Sequence, residues 1–218
     1  MTPKRYARLR SVLDRRQPDL TVLLDNVHKT HNFSAIVRSC DAVGAFEAHA
    51  VWPNPRLKPN HMSSGGAGKW VRIQAHPNLD TAVEILRGKG MQIIAAHLNE
   101  RARDYRQVDF TRPTAILLGA ELAGVSAEGL KHADFNVSIS MAGMVESLNV
   151  SVAAAVLLFE ARQQREAAGL YSRSRLDPEI YQRTLFEWCH PDVAAYCRRG
   201  NRPYPALDEH GEIVGRVT

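Results

Sequence analysis

Short apolar runs alternate with helical segments from residue 21 to residue 168, and this alternation restricts the fold more than any other feature of the sequence. Strands and helices that alternate at this spacing predict an α/β fold with a mainly parallel sheet and helices on both faces. The predicted strands are 21–27, 48–52, 70–76, 91–98, 114–120 and 135–141. The predicted helices are 32–43, 79–88, 126–133 and 147–168, with Asn32 as the N-cap of the first and Ser147 at the start of the last.

The two ends of the chain do not follow this alternation. Residues 1–16 carry six basic side chains and one acidic one, whereas the other 202 residues hold 22 of each, so the net charge of +5 comes from the N-terminus. A basic arm indicates a polyanionic partner, nucleic acid before membrane, although a solvated helix that aids solubility explains the charge equally well. We therefore expect a basic helical arm over 1–20, an α/β domain over 21–168, and a helical extension and tail over 169–218.

Composition excludes several classes of protein. No run approaches the roughly 18 apolar residues that a transmembrane helix needs, and the N-terminus has no apolar signal core, so we expect a cytoplasmic protein without a membrane partner. The three cysteines, Cys40, Cys189 and Cys197, are too scattered for a disulfide framework or a zinc site. His28 and His31 have a ligand-like spacing, but no cluster of further ligands joins them, and we expect no metal.

The small-residue segment 63–68 is only superficially similar to a phosphate-binding loop. Trp70 follows Lys69 where a P-loop needs Ser or Thr, and a predicted strand follows where it needs a helix. The glycine fingerprint of a dinucleotide site is absent after every predicted strand. The segment is therefore either a flexible loop or a loop whose backbone comes close to a substrate.

A first group of polar residues lies on the predicted helix 32–43. Asn32 stands at its start, and Arg38 interrupts an otherwise apolar helical segment. Arginine is rarely buried without an anionic partner, so this position favours an anion-binding site. The alternative is an internal salt bridge from Arg38 to Asp41 or Glu47.

Two further groups of polar residues follow predicted strands. The segment 119–126 contains paired glycines, which indicate a tight backbone loop, and Glu121 at the carboxyl end of the sheet. The third group follows strand 135–141 and places Ser147 and Asn149 in front of a nearly continuous apolar helix. Ligands of open α/β sheets bind at this edge of the sheet.

Taken together and in this order, the three groups resemble the motifs of the SpoU (TrmH) family of RNA ribose 2′-O-methyltransferases. The matching residues are 32–38, 116–121 with Gly124, and 139–151. The two ends of the chain also resemble the tRNA-modifying branch of this family. Two positions depart from the family pattern: Ser140 stands where a proline is common, and Ala120 where an amide residue is common. Both departures bear on the cofactor pocket.

The resemblance implies a fold, a cofactor and a substrate. The fold is an α/β domain with a C-terminal deep trefoil knot, which would be an exception to the rule against threaded loops. S-adenosyl-L-methionine would be held in the knot, and a homodimer would draw each active site from both subunits. The implied substrate is tRNA, at the ribose of guanosine 18 in the D-loop. The alternatives are a ribosomal RNA 2′-O-methyltransferase on the same scaffold and an RNA-binding relative without catalysis.

The resemblance also implies roles for individual residues. Arg38 would lie at the reacting hydroxyl, either as a phosphate clamp or as the base, and Glu121 and Asn149 would orient Asn32, Arg38 and the ribose. Ser147 would cap the helix and contact cofactor or substrate. The implied cofactor-binding residues are Leu98, Gly119, Ile139, Met141 and Leu148. The residues expected to contact tRNA phosphates are Arg8, Arg10, Arg15 and Arg16.

Overall fold

The computed structural model describes residues 1–27, 29–51, 67–120 and 124–215. The chain divides into two compact units. The α/β unit is Gln17–Leu170, and the terminal unit combines Met1–Arg16 with Tyr171–Thr218. The functional division into an arm, a catalytic domain and an extension stays a prediction.

A seven-stranded parallel sheet forms the centre of the α/β unit. Its strands are β1 (Leu20–Leu24), β2 (Glu47–Val51), β3 (Arg72–His76), β4 (Gln92–Ala96), β5 (Arg103–Asp104), β6 (Thr114–Leu118) and β7 (Phe135–Ser138). Their order across the sheet is β3-β2-β1-β6-β4-β7-β5. β1 and β6 are buried at every position and pair along their full length, as expected for parallel strands that are covered on both faces.

The described residues of the two units form seven α-helices. They are α1 (Pro3–Asp14), α2 (Thr30–Ala42), α3 (Leu79–Gly88), α4 (Ala127–His132), α5 (Val150–Ala167), α6 (Pro178–Cys189) and α7 (Pro191–Arg199). None of them is both long and apolar enough to cross a bilayer.

Alternate residues of each central strand enter two separate cores. Val22 and Leu24 pack with α2 and α5, whereas Leu23, between them, packs with α3. Because successive side chains of a strand point to opposite faces, this alternation places helices on both sides of the sheet. The prediction of an α/β fold with a mainly parallel sheet is confirmed.

All six predicted strands are present, but most end earlier than predicted. The predicted strands 91–98, 114–120 and 135–141 end at Ala96, Leu118 and Ser138. β5 was not predicted, since it consists of only two residues, both of them polar. The apolar residues beyond the observed strand ends belong to loops at the carboxyl edge of the sheet.

Two predicted helix starts were wrong. α2 begins at Thr30, so Asn32 lies inside the helix and is not its N-cap. α5 begins at Val150, and its N-cap is Asn149 rather than Ser147. The extension predicted over 169–218 contains two helices that meet at His190, because Pro191 has no backbone N–H to continue the first helix.

In the terminal unit the two ends of the chain fold together. α1 buries Leu9 and Leu13 and contacts α6, and the Tyr181 hydroxyl donates a hydrogen bond to Asp14 at 2.7 Å. Burial and this hydrogen bond raise the pKa of Tyr181 to about 12. The N-terminal arm is thus part of a packed unit with α6.

Candidate active site

A cavity of about 440 Å³ opens at the carboxyl ends of β4, β6 and β7. Its walls come from 96–98, from 118–120 with Gly124, from the residues after β7, and from the start of α5. This is the edge at which open α/β sheets bind ligands, and the volume is typical of a small-molecule site.

All five residues predicted to bind the cofactor line this cavity. They come from three loops that are distant in sequence and that the sheet brings together: Leu98, Gly119, Ile139, Met141 and Leu148. Leu98 is 66% exposed although it is apolar. Their role in binding stays a prediction, but their convergence on one cavity supports it. Of the two departures from the family pattern, Ala120 lines the cavity and Ser140 is not among the described lining residues.

The loop after β6 closes on itself because it contains glycine at two positions. A Cβ atom on Gly119 would lie 2.0 Å from the backbone carbon and oxygen of Gly124, so no other residue fits there. Gly124 has a φ of +66° and donates a backbone hydrogen bond to Ala120 at 2.8 Å. Residues 121–123 lie outside the described residues, and so does the predicted catalytic residue Glu121.

A buried carboxylate anchors the far end of this loop. Asp25, directly after β1, is 2% exposed and accepts a hydrogen bond from the backbone N–H of Ser126 at 2.8 Å. Its other oxygen accepts a hydrogen bond from the side chain of Asn26 at 2.8 Å. Asp25 therefore ties the segment after β1 to the glycine loop that lines the cavity.

Two predicted catalytic amides contact each other. The Asn149 side-chain N–H₂ donates to the Asn32 carbonyl oxygen at 3.3 Å, and the Asn149 oxygen accepts from the backbone N–H and the hydroxyl of Ser151 at 2.9 and 2.6 Å. Asn32 is 2% exposed. A buried amide without a partner would cost about 1–3 kcal/mol, so the contact with Asn149, which is itself exposed, helps to accommodate the buried Asn32.

Arg38 lies on α2 with its side chain exposed. None of the described residues forms a hydrogen bond or ion pair with its guanidinium, and the alternative of a salt bridge to Asp41 or Glu47 is wrong. Glu47 instead binds His49 and Lys89. Neither Arg38 nor Asn32 is among the described residues that line the cavity, whereas Ser147 and Asn149 are.

Two ionisable residues of the cavity wall were missed in the sequence. His97 and Glu146 both line the cavity. His97 directly precedes Leu98, and Glu146 directly precedes Ser147, both of which were predicted site residues. This adjacency was the only indication in the sequence that the two residues could lie at the cavity.

The predicted phosphate-binding arginines differ in accessibility. Arg8, Arg10 and Arg15 are exposed, but Arg16 is fully buried and lies over the Trp188 ring at 5.3 Å from its centroid. A side chain packed in this way cannot reach a phosphate on the surface, and the prediction for Arg16 is revised.

Asp80, Glu128 and His132 form the one metal-compatible group found in the described part of the chain. They lie outside the cavity, and His132 is hydrogen-bonded to Asp80 at 2.7 Å.

Comparison with known proteins gives matches over nearly the whole chain. The profile of the SpoU rRNA Methylase family matches residues 19–159, and the profile described as SpoU, rRNA methylase, C-terminal matches residues 163–216. The tRNA (guanosine(18)-2′-O)-methyltransferase of Escherichia coli K12 is 49% identical over 215 residues, which are 98% of this chain and 94% of that protein.

Two solved structures extend the comparison to the fold. The Aquifex aeolicus TrmH/SpoU tRNA modifying enzyme superposes with a TM-score of 0.79 at 44% identity, covering 87% of this chain and 97% of that one. The SpoU methyltransferase AviRb from Streptomyces viridochromogenes, in complex with the cofactor AdoMet, gives a TM-score of 0.62 at 27% identity over 71% of this chain and 62% of that one. The profile match, the fold and the cavity at the carboxyl edge of the sheet agree, and the chain belongs to the SpoU methylase family.

Proposed function

We propose that this protein is a tRNA methyltransferase that transfers the methyl group of S-adenosyl-L-methionine to the ribose 2′-hydroxyl of guanosine 18. The observation that carries this proposal is that similarity to the Escherichia coli tRNA (guanosine(18)-2′-O)-methyltransferase extends over 98% of the chain. It therefore includes the terminal unit as well as the α/β unit. A relative that shared only the α/β unit would support methyl transfer but would say less about the RNA. We further propose a cytoplasmic location, where tRNA is available.

The second candidate function is methylation of ribosomal RNA, since both matching family profiles are described as rRNA methylases. It requires the same scaffold and the same cofactor and differs only in the RNA. An RNA-binding relative without catalysis is disfavoured, because Asn32, Arg38, Glu121, Ser147 and Asn149 are all present in the sequence. A protein that only binds RNA has no need of all five.

The cavity fits S-adenosyl-L-methionine in size and in the chemistry of its walls. Leu98, Ile139 and Leu148 offer apolar surface, and the backbone of Gly119 also lines the cavity. The cofactor supplies a methyl group bound to a cationic sulfur. The chain would hold its adenosine part largely through apolar contacts and backbone groups of these three loops.

We propose that Arg38 binds a phosphate of the substrate through its two-pronged guanidinium. A guanidinium keeps its proton in proteins, so the clamp explains Arg38 better than a role as the base. The base role stays a hypothesis in which the bound phosphate relays the proton. Asn149, held by Ser151, would orient Asn32 and the ribose, and Glu121 would join them.

We propose a homodimer in which the active site is shared. Support comes from Arg38, which is exposed and is not among the described cavity-lining residues of its own chain. α5 also exposes Val152 and Phe159, which are 47% and 48% exposed and lie two helical turns apart on one face. Burial of this face against a second copy would remove it from water. The deep trefoil knot is proposed from the family resemblance, with the segment 139–149 within it.

The terminal unit is proposed to bind the tRNA backbone. Residues 1–16 and 171–218 together hold 13 Lys and Arg against 8 Asp and Glu, whereas residues 17–170 hold 15 of each. The whole net charge of +5 therefore belongs to this unit. Arg8, Arg10 and Arg15 are its proposed phosphate contacts, and such contacts determine affinity and register rather than sequence.

The test is to incubate the protein with labelled S-adenosyl-L-methionine and, separately, with unmodified tRNA and ribosomal RNA, and then to map the methylated nucleotide. Label is expected on the ribose of guanosine 18, and a transcript already methylated there should accept none. Arg38→Lys should lose most of the turnover, because lysine cannot reproduce the guanidinium fork. Label on a base, or on ribosomal RNA alone, would overturn the proposal.

A further inference from the structure

The described walls of the cavity contain a single carboxylate. Glu146 and His97 are the ionisable side chains among these lining residues, and no lysine or arginine is among them. This composition contrasts with the positive net charge of the chain, which belongs to the terminal unit. The described lining residues thus include a negative side chain and no lysine or arginine that could neutralise it.

The backbone that carries Glu146 is held close to the cavity. Asn149, three residues later, is fixed by its bonds to Ser151 and to Asn32. Glu146 forms no hydrogen bond or ion pair with the described residues, so no neighbouring cation there neutralises it. Its charge is therefore available to a ligand in the cavity.

Methyl transfer changes the charge of the cofactor. S-adenosyl-L-methionine carries a sulfonium, an ammonium and a carboxylate, for a net charge of +1. In the reaction the C–S bond breaks with its electron pair left on sulfur, a C–O bond forms to the ribose, and the hydroxyl proton passes to a base. The product S-adenosyl-L-homocysteine is a thioether with a net charge of zero, so the two ligands differ by one methyl group and one positive charge.

We infer that Glu146 distinguishes the cationic cofactor from its neutral product by electrostatic attraction to the sulfonium, and so favours binding of the first and release of the second. The inference rests on the proposed function only for the identity of the cofactor. Glu146 is exposed, so solvent screens the interaction. We expect Glu146 to strengthen binding of S-adenosyl-L-methionine relative to S-adenosyl-L-homocysteine by about two- to fivefold, the range that exposed ion pairs give.

The experiment measures the dissociation constants of S-adenosyl-L-methionine and S-adenosyl-L-homocysteine by calorimetry with the full chain and without RNA. In Glu146→Gln, which keeps the shape and removes the charge, the first constant should rise about two- to fivefold. The second should change by much less. Glu146→Asp keeps the charge and should retain most of the preference. Because no RNA is present, the result does not depend on which nucleotide the enzyme methylates.

Glu84→Gln is the matched control, since Glu84 is an exposed glutamate of α3 outside the described cavity lining. It makes the same change in net charge and should leave both constants unchanged. In the unsubstituted protein, raising the NaCl concentration should reduce the preference, and this measurement needs no variant to fold. Equal weakening of both ligands in Glu146→Gln would place the carboxylate at the ammonium that they share. That result, or no change in either ligand, would overturn the inference.

Discussion

At the scale of single residues, Asn149 combines two functions that can be separated. Its side-chain oxygen caps α5 through Ser151, and its N–H₂ group reaches Asn32 at 3.3 Å. The cap is a stability function that serine performs about as well as asparagine. The contact with Asn32 needs the longer side chain and its amide.

We therefore expect Asn149→Ser to preserve the cap of α5, to lower the melting temperature by at most several degrees because Asn32 loses one partner, and to lower the single-turnover rate of methyl transfer at least tenfold. Asn78→Ser is the matched control, because Asn78 caps α3 through Thr81 at 2.9 Å and lies outside the described cavity lining. A normal rate for Asn149→Ser would show that the amide contact is not used in catalysis.

A second residue-scale feature is a buried chain of ionisable groups in β2 and β3. His49 Nδ1 lies 2.8 Å from His76 Nε2, and His49 Nε2 lies 3.3 Å from Glu47, which also binds Lys89. Burial lowers the pKa of His76 below its usual 6.5, and the charges of His49 and Lys89 lower it further, against the effect of Glu47. Burial alone would raise the pKa of Glu47, but the bonds from His49 and Lys89 outweigh it and lower the pKa to about 2.

Both shifts make the protein less stable in acid, in different pH ranges. Unfolded His76 binds a proton below about pH 6.5 while the folded form resists it, so the free energy of unfolding should decrease as the pH falls from 6.5. The contribution of Glu47 is complete above 4.5 and is lost between 4.5 and about 2. In His76→Gln, urea unfolding between pH 7 and pH 5 should show a flatter pH dependence. His210→Gln, at an exposed histidine of the terminal unit, should not flatten it.

At the scale of secondary-structure elements, strands were easier to predict than their ends. The central strands β1 and β6 are fully buried and mostly apolar, and the alternation of such short apolar runs with helical segments identified every strand except β5, whose two residues are polar. The apolar character continues past the strand ends at Leu98, Ile139 and Met141, because these residues line a cavity that needs apolar walls. Hydropathy alone cannot distinguish a strand in the core from a loop that lines an apolar site.

The site was predictable in its members but not in their arrangement. The resemblance to the SpoU family, which the order of the motifs indicated, implied the residues of the three loops that meet at the cavity. Spacing could not show that Arg38 lies away from it. Six residues along a helix rotate a side chain by about 240°, so Arg38 and Asn32 leave α2 in different directions. The identity of the residue that caps α5 also depends on where the helix begins, which periodicity leaves uncertain by several residues.

Asp25 connects the end of β1 to the start of α4, and its replacement should affect the cavity. In Asp25→Asn one of the two donors that now face carboxylate oxygens, the Ser126 N–H or the Asn26 side chain, would meet an N–H₂ group. A buried donor without an acceptor costs about 1–3 kcal/mol, and we expect the loop 119–126 to shift and the dissociation constant of S-adenosyl-L-methionine to rise at least fivefold. Asp109→Asn is the control, since Asp109 accepts from the N–H and hydroxyl of Thr111 in an exposed turn. Equal effects of the two variants on cofactor binding would contradict a role for Asp25 in shaping the cavity.

At the scale of the whole molecule, the positive net charge belongs to the terminal unit, of which the basic residues 1–16 are a packed part. Removal of the basic residues 1–16 is the obvious way to test RNA binding by the arm, but the structure makes that deletion uninformative. α1 buries Tyr6, Leu9 and Leu13, and Asp14 accepts a hydrogen bond from Tyr181 of α6. Deletion would expose the surface of α6 that α1 covers, so a loss of tRNA binding could reflect unfolding of the terminal unit rather than loss of charge.

Neutralising exposed arginines tests the same idea without removing the helix. In the double variant Arg8→Gln, Arg15→Gln the buried face of α1 is intact, and the melting temperature should stay within a few degrees of that of the unsubstituted protein. If each arginine neutralises one tRNA phosphate, the slope of log K against log salt concentration should fall by roughly 1 to 2, with weaker binding at low salt and unchanged cofactor binding. Lys131→Gln, an exposed charge of α4 in the electrically balanced α/β unit, should leave the slope unchanged. A slope that is the same in the double variant and the unsubstituted protein would mean that the positive charge of the arm does not contact RNA and serves only to keep the protein soluble.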